Sequence, residues 1–110
     1  MHIAGRRPDG PLRKPVIVWM VRVGEDLYTR SVNGADAAWL RGTRVRREGH
    51  ISADGVDVDV DFHDVDGDED AIHDAVDAAY RAKYGQYPGP VAAITSPPAR
   101  ATTLKLVPHA

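Results

Sequence analysis

Residues 56–65, VDVDVDFHDV, carry the clearest structural signal in the chain. Apolar and polar side chains alternate along this segment. The apolar ones are Val56, Val58, Val60 and Phe62, and the polar ones between them are Asp57, Asp59, Asp61 and His63. Because successive side chains of a β-strand point to opposite faces of the sheet, the alternation predicts a strand with one face in the core and the other in water or against a partner.

Two hairpins are expected around this strand and upstream of it. Residues 44–52 (RVRREGHIS) lead into a turn at 53–55 and should pair with the strand that follows. Residues 16–23 (VIVWMVRV) are rich in β-branched and aromatic side chains, which predicts one continuous strand buried on both faces. A turn at 24–26 then leads into a second strand at 27–32 (LYTRSV).

The remaining elements complete an α+β domain. Alanine-rich residues 35–40 predict a short helix that ends at Gly42, and residues 71–84 show the apolar spacing of a longer helix. Two short strands are predicted at 91–95 and 102–107. Six strands with one short and one longer helix make a strand-dominated α+β fold.

Composition indicates a single domain over residues 1–110. The chain has 43% hydrophobic residues and no cysteine, so a disulfide framework, a thiolate metal site and a catalytic thiol are excluded, and the cytoplasm is the expected compartment. The longest apolar run, residues 16–21, is far shorter than the roughly 20 residues that span a bilayer. No membrane association is expected.

Charge is distributed unevenly along the chain. Basic residues dominate residues 1–47, whereas residues 48–80 carry twelve acids and no Lys or Arg. This asymmetry has two interpretations. Either the acidic and basic segments face one another or water in the fold, or part of the basic set lines an anion site. With a net charge of -2 and few aromatic residues among the basic ones, we expect no nucleic-acid partner.

Five segments together resemble a known family along nearly the whole chain. They are RKPVIVWMVRVGEDLYTRSVNG (13–34), AAWLRG (37–42), GHISADGVDVDVDF (49–62), AYRAKYGQY (79–87) and ITSPPARATTLKLVP (94–108). In residue type and spacing they resemble the "domain of unknown function 2255" family.

A weaker resemblance connects the first part of the chain to the flavin-binding split β-barrels, particularly the deazaflavin-dependent nitroreductase branch. It implies a six-stranded split β-barrel, a homodimer with sites at its interface, and FMN or a deazaflavin whose phosphates are held by a basic loop. The residues that match this pattern are Arg6, Arg7, Gly10, Arg13 and Lys14 in the loop, Ser31, Asn33 and Gly34 at a strand end, and Trp39 in the short helix.

Each of these matches also has an ordinary structural interpretation. The basic loop could hold phosphate or simply be solvated. Ser31 and Asn33 could hydrogen-bond a flavin or form a turn, and Trp39 could stack on a flavin ring or anchor its helix to the core. A calcium loop beginning at Asp64 or Asp66 fails, because the twelfth position lacks the glutamate that such loops require, so no metal site is predicted.

Two functional hypotheses follow from these residues. The first is a flavin- or deazaflavin-binding protein acting as an oxidoreductase on a small molecule, with the cofactor supplying the chemistry. The second is a cofactor-free barrel that binds a small-molecule ligand or serves as an interaction module.

Overall fold

The computed structural model describes residues 2–5, 11–12, 14–32, 34, 37–53, 55–66 and 68–108. Within them the strands are β1 (His2–Gly5), β2 (Val16–Ile17), β3 (Met20–Val23), β4 (Asp26–Thr29), β5 (Glu48–Ala53), β6 (Val56–Asp64) and β7 (Leu104–Pro108). The helices are α1 (Ala38–Arg46), α2 (Asp70–Tyr84), α3 (Pro88–Ile94) and α4 (Pro97–Arg100). The predicted α+β class is confirmed.

The strands form one antiparallel sheet in the order β2-β1-β5-β6-β7-β4-β3. Strands β2 and β3 lie at opposite edges of this sheet, yet only Val18 and Trp19 separate them along the chain. Seven strands laid flat would place their edges about 29 Å apart. A three-residue step reaches at most about 11 Å. The sheet therefore curls into a half-barrel, and residues 18–19 cross its opening.

The main core lies inside the half-barrel. Helix α1 inserts Leu40, which is fully buried, among apolar side chains from the strands. The buried members of this cluster are Ile3, Val18, Met20, Leu40, Ile51, Val60, Phe62, Leu104 and Leu106. The prediction for residues 56–65 is confirmed, since Val60 and Phe62 are buried while Asp57 and His63 are exposed.

Helix α2 covers the outer face of the β3–β4 hairpin. Its Val76 and Tyr80 are fully buried against Val21 and Tyr28. Lys83 donates a hydrogen bond of 2.9 Å to the carbonyl oxygen of Met20 in edge strand β3. The helix predicted at residues 71–84 is confirmed, and it protects an edge that could otherwise pair with another chain.

The predictions of six strands and two helices are wrong in several places. Residues 16–23 are two strands rather than one, and β1 was not predicted. The predicted strand at 91–95 lies within α3, where Pro88 occupies the first turn of a helix, a position that tolerates proline. Helix α4 was also not predicted.

Helix α1 starts later than predicted and continues past Gly42 to Arg46. The helix passes beside β1, where a Cβ added at Gly5 would be in ordinary van der Waals contact, at 3.6 Å, with the carbonyl carbon of Gly42. The helix ends instead at Arg47, which takes the left-handed conformation of a C-cap (φ 40°) and donates its backbone N–H to the Thr43 carbonyl oxygen. Residues 44–46 consequently belong to α1, and β5 begins only at Glu48.

None of the helices in the described residues is both long enough and apolar enough to cross a membrane.

Candidate functional site

A cleft of about 360 Å³ lies where the chain crosses the opening of the half-barrel. Residues from the crossing, from the end of β4, from α1 and from α3 line it: Ile17, Val18, Trp19, Arg30, Val32, Trp39, Pro90 and Ile94. The chain has two tryptophans, and both are in this wall. We call it the tryptophan cleft.

The rim of the tryptophan cleft is apolar and exposed. Ile17 is 74% exposed and Val32 is 48% exposed, although both are β-branched aliphatic residues that usually lie inside a protein. Trp19 and Trp39 are half-buried behind this rim. Adjacent apolar side chains left in water are typical of a binding surface.

Trp19 is held in one orientation by its neighbours. Its indole stacks on the Tyr84 ring with the centroids 4.0 Å apart and the planes 2° from parallel, and it makes a tilted contact with Tyr87. Its carbonyl oxygen accepts hydrogen bonds of 2.8 Å from the hydroxyls of Thr29 and Tyr80. This side of the cleft is therefore formed before any ligand arrives, which reduces the entropic cost of binding.

The hydroxyl of Tyr80 is a neutral donor in this arrangement. The Tyr80 side chain is fully buried, and this burial raises its pKa above the ordinary tyrosine value because the phenolate would lose its hydration. The proton consequently stays on the oxygen that donates to Trp19.

Arg30 forms the floor of the cleft, and its side chain is completely inaccessible to solvent. The guanidinium is paired with the carboxylate of Asp77. It also donates to Thr103 Oγ1 at 2.9 Å and to the carbonyl oxygens of Ile94 and His73, each at 3.2 Å. These bonds join β4 to α2, α3 and the start of β7, so the floor is rigid.

The pairing with Asp77 decides what the floor can recognise. A buried arginine without a counter-charge would attract an anion, but here the carboxylate offsets the charge within the protein. A second cation, Arg100 Nε, lies 3.7 Å from the other oxygen of Asp77. The described part of the cleft therefore favours a flat, largely apolar group over a phosphate.

Arg30 was not predicted as a site residue, although the sequence contains a signal for it. In the alternation of residues 27–32, Arg30 falls on the same side as Tyr28 and Val32, where an apolar residue is expected. A charged residue at a core position indicates a buried ion pair or a site. Its partner, however, lies 47 residues further along the chain, and no local pattern identifies it.

Of the predicted cofactor-binding residues, Trp39 lies in the cleft wall. Ser31 directly follows Arg30 and is buried, and its backbone N–H donates to Thr102 Oγ1 at 2.8 Å. Its side-chain oxygen has no hydrogen-bond partner among the described residues. Gly34 completes the turn after β4, where its N–H donates to the Ser31 carbonyl oxygen at 3.1 Å.

The basic loop is only partly covered by the structure. Lys14 is exposed and does not line the cleft. Arg6, Arg7, Arg13 and Asn33 lie outside the described residues, so their proposed roles stay predictions.

These observations allow the fit of a flavin to be judged. The cleft offers two indole rings, and Ser31, which follows the floor residue Arg30 in the chain, has a buried hydroxyl with no hydrogen-bond partner among the described residues. Such groups suit an isoalloxazine ring, which is flat and carries polar atoms on one edge. The described residues of the cleft offer no free cation for the phosphate, which would need the basic loop. No group of three or more metal-ligating side chains occurs among the described residues.

A second titratable cluster lies on the outer face of the β5–β6 hairpin, away from the cleft. His50 Nδ1 is 2.9 Å from Asp59 Oδ1, and His50 Nε2 is 3.1 Å from Asp57 Oδ1. The hydrogen bonds to Asp59 and then Asp57 raise the pKa of His50, and the bond to His50 lowers the pKa of Asp57. We call these three residues the His50 cluster.

Comparison with protein-family models matches residues 1–106 to a family described as uncharacterised proteins conserved in bacteria, DUF2255. The first of the two sequence resemblances is thereby confirmed. A search of curated proteins finds no match.

Proposed function

This chain belongs to the DUF2255 family, and we propose that it is a small-molecule-binding protein whose tryptophan cleft holds the flat ring of a flavin or deazaflavin. The observation that carries the proposal is that both tryptophans of the chain, one of them already stacked on Tyr84, line one cleft with an exposed apolar rim.

The size of the cleft supports a ring rather than a whole cofactor. Its volume of about 360 Å³ is near the lower end of the roughly 300–1,000 Å³ of small-molecule sites. A tricyclic ring would occupy it, and the side chain and phosphate of FMN would extend outward. On this proposal Arg6, Arg7, Arg13 and Lys14 bind that phosphate, while Ser31, Asn33 and Gly34 border the ring.

Trp39 and Arg30 have different roles in the proposal. Trp39 contributes a stacking surface for the ring, whereas Arg30 shapes the floor through its bonds to α2, α3 and Thr103. A bound flavin would supply hydride or single-electron transfer, and the protein would bind and orient the ring. Oxidoreductase activity on a small molecule is therefore part of the proposal.

The split barrel, the homodimer and the cytoplasmic location belong to the same proposal. The exposed rim residues Ile17 and Val32, together with Tyr87 at 49% exposure, support a second subunit beside the cleft. Sedimentation velocity with and without FMN tests this part, and a monomer in both conditions would contradict it.

Tryptophan fluorescence gives the direct test of binding, because both fluorophores lie in the cleft wall. The purified protein is titrated with FMN, riboflavin and a deazaflavin, and quenching is corrected for absorption by the ligand. We expect saturable quenching by at least one of them. Tighter binding of FMN than of riboflavin would support phosphate recognition by the basic loop.

Matched variants locate the site. Trp39→Ala should weaken binding about two- to twelvefold because an aromatic pair is lost. Val32→Ala removes apolar surface from the rim, whereas Val56→Ala makes the same chemical change at an exposed valine outside the cleft. The proposal requires Val32→Ala to weaken binding and Val56→Ala to leave it unchanged.

The cofactor-free alternative gives a different outcome. In this outcome, flavins and deazaflavins fail to quench the tryptophan fluorescence up to tens of micromolar, while another flat aromatic compound binds with the same dependence on Trp39. In that case the protein is the cofactor-free small-molecule-binding protein of the second hypothesis. If no aromatic ligand binds, the proposed function is wrong.

A further inference from the structure

A second cavity, also of about 360 Å³, lies at the end of the half-barrel that holds the tip of the β5–β6 hairpin. We call it the hairpin cavity. Its walls come from β3, β4, β5, β6 and the C-terminal turn of α2. No lining residue is shared with the tryptophan cleft.

The floor of the hairpin cavity is the core of the protein. Met20 and Ile51 are buried, at 6% and 4% exposure, and both belong to the cluster inside the half-barrel. Leu27 and Val58 are partly buried and pack against the same cluster. A ligand in this cavity would contact aliphatic side chains with no aromatic ring among the described lining residues, which favours an alkyl chain over a flat ring.

Two cationic side chains, those of Arg22 and Lys83, lie at the edge of this apolar floor. Arg22 is exposed, and it has no carboxylate within ion-pair distance among the described residues. Lys83 donates to the Met20 carbonyl oxygen and lies 5.3 Å from the Tyr84 ring, again without a carboxylate partner in the described part of the chain. Both cations line the cavity.

The acidic residues of β6 do not neutralise these cations. Side chains alternate along a strand, so Asp57 and Asp59 lie on the opposite face from Val58. On that face both carboxylates are engaged by His50. Asp26, at the start of β4, is engaged by Lys105, whose Nζ lies 3.5 Å from Asp26 Oδ2. Among the described residues, the charged side chains that line the cavity are therefore the two cations Arg22 and Lys83.

From this combination we infer that the hairpin cavity binds a single-chain anionic amphiphile, an alkyl carboxylate. The chain lies against Met20, Leu27, Ile51 and Val58, and the carboxylate accepts charge-assisted hydrogen bonds from Arg22 and Lys83. The inference is independent of flavin binding, because the two cavities have separate walls.

Alkanoates of increasing length provide the test. Hexanoate, octanoate and decanoate are titrated below their micellar concentrations while ¹H–¹⁵N spectra and binding heats are recorded. Each methylene that enters the cavity should tighten binding about fourfold. The amide signals of Met20, Leu27 and Ile51 should shift, and those of Val18 and Val32 in the tryptophan cleft should not.

Charge variants test the headgroup. Arg22→Gln and Lys83→Gln should each weaken octanoate binding by up to about fivefold, the range expected for partly exposed charge pairs. Arg81→Gln is the matched control, because Arg81 is also an exposed basic residue in the last turn of α2 but does not line the cavity. 1-Octanol, which has the same chain length and no charge, should bind more weakly than octanoate to the unmodified protein.

Any one of the following results would overturn the inference. They are no binding of decanoate, an affinity that does not depend on chain length, or equal losses in Lys83→Gln and Arg81→Gln. Amide shifts confined to the tryptophan cleft would also contradict it, and would leave the proposed function of that cleft intact.

Discussion

Replacing Asp77 with asparagine tests whether the floor of the tryptophan cleft depends on a buried ion pair. The substitution keeps the size of the side chain and removes its charge. Arg30, which is completely inaccessible to solvent, would then keep a positive charge inside the protein with neutral acceptors only. Its remaining bonds to Thr103 and to two backbone carbonyls cannot offset the lost hydration of the cation.

The expected loss is large relative to the total stability. Removing one member of a buried ion pair costs about 3–5 kcal/mol. A domain of 110 residues has a free energy of unfolding of about 5–15 kcal/mol. With an unfolding entropy of about 2.1 cal/mol/K per residue, the loss corresponds to a decrease in Tm of about 13–22 °C.

Urea denaturation followed by circular dichroism measures this loss, with thermal unfolding as a second observable. Asp74→Asn is the matched control, because Asp74 lies on the same helix, its side chain is 74% exposed and it pairs with Arg100 at 3.1 Å. An exposed pair contributes about 0–1 kcal/mol, so this variant should unfold almost as the unmodified protein does. The urea m-value should be the same in all three proteins.

A loss below about 1 kcal/mol in Asp77→Asn, or equal losses in the two variants, would refute this account of the floor. Arg30 would then be stabilised by its neutral acceptors alone, without a contribution from the Asp77 carboxylate.

Three further predictions concern the sheet and its edge. The His50 cluster stabilises the protein while His50 is protonated, and its pKa is raised on folding. The contribution of the cluster to the free energy of unfolding is therefore complete below the unfolded pKa of His50, near 6.5, and is lost as the pH rises through the higher folded pKa. His50→Gln should flatten this part of a curve of stability against pH. Gly49→Ala should destabilise by about 1–3 kcal/mol or more in urea denaturation, because its Cβ would lie 2.2 Å from the Ala4 carbonyl oxygen, whereas Gly89→Ala, with open space around it, should not. Tyr80→Phe should cost about 0.5–1.5 kcal/mol, measured in the same way, since the Trp19 carbonyl oxygen loses one of its two donors and keeps the hydrogen bond from Thr29.

The sequence predicted the elements whose pattern is local and repeated. Strand β6 was found because its alternation extends over the eight residues 56–63, and α2 because its apolar spacing extends over four turns. Residues 91–95 were misassigned because a segment of five residues is too short to distinguish a helical from a strand period. Pro88 is also compatible with either the end of one element or the first turn of a helix. The crossing at 18–19 was missed because both of its residues are apolar and continue the strand pattern.

The candidate site was predictable only where one residue type indicates its own role. Trp39 was named either as a stacking residue or as an anchor of its helix, and it both lines the cleft and packs against the core cluster. Arg30 and its acceptors were not identified as a set, because the network joins residues up to 73 positions apart and depends on how the sheet curls. The sequence also could not show that Trp19 and Trp39 line the same wall. Trp19 lies between β2 and β3, and these two strands, at opposite edges of the sheet, come together only because the sheet curls.

The indole N–H signals of the two tryptophans test the central claim most directly. The chain contains no other tryptophan, so a ¹H–¹⁵N spectrum should show two indole signals, and Trp19→Phe and Trp39→Phe assign them. On titration with FMN, both signals should shift together with one saturation curve, because both rings line the same cleft. Indole signals that stay in place while backbone amides elsewhere shift would show that the ligand binds outside the cleft and would contradict the account.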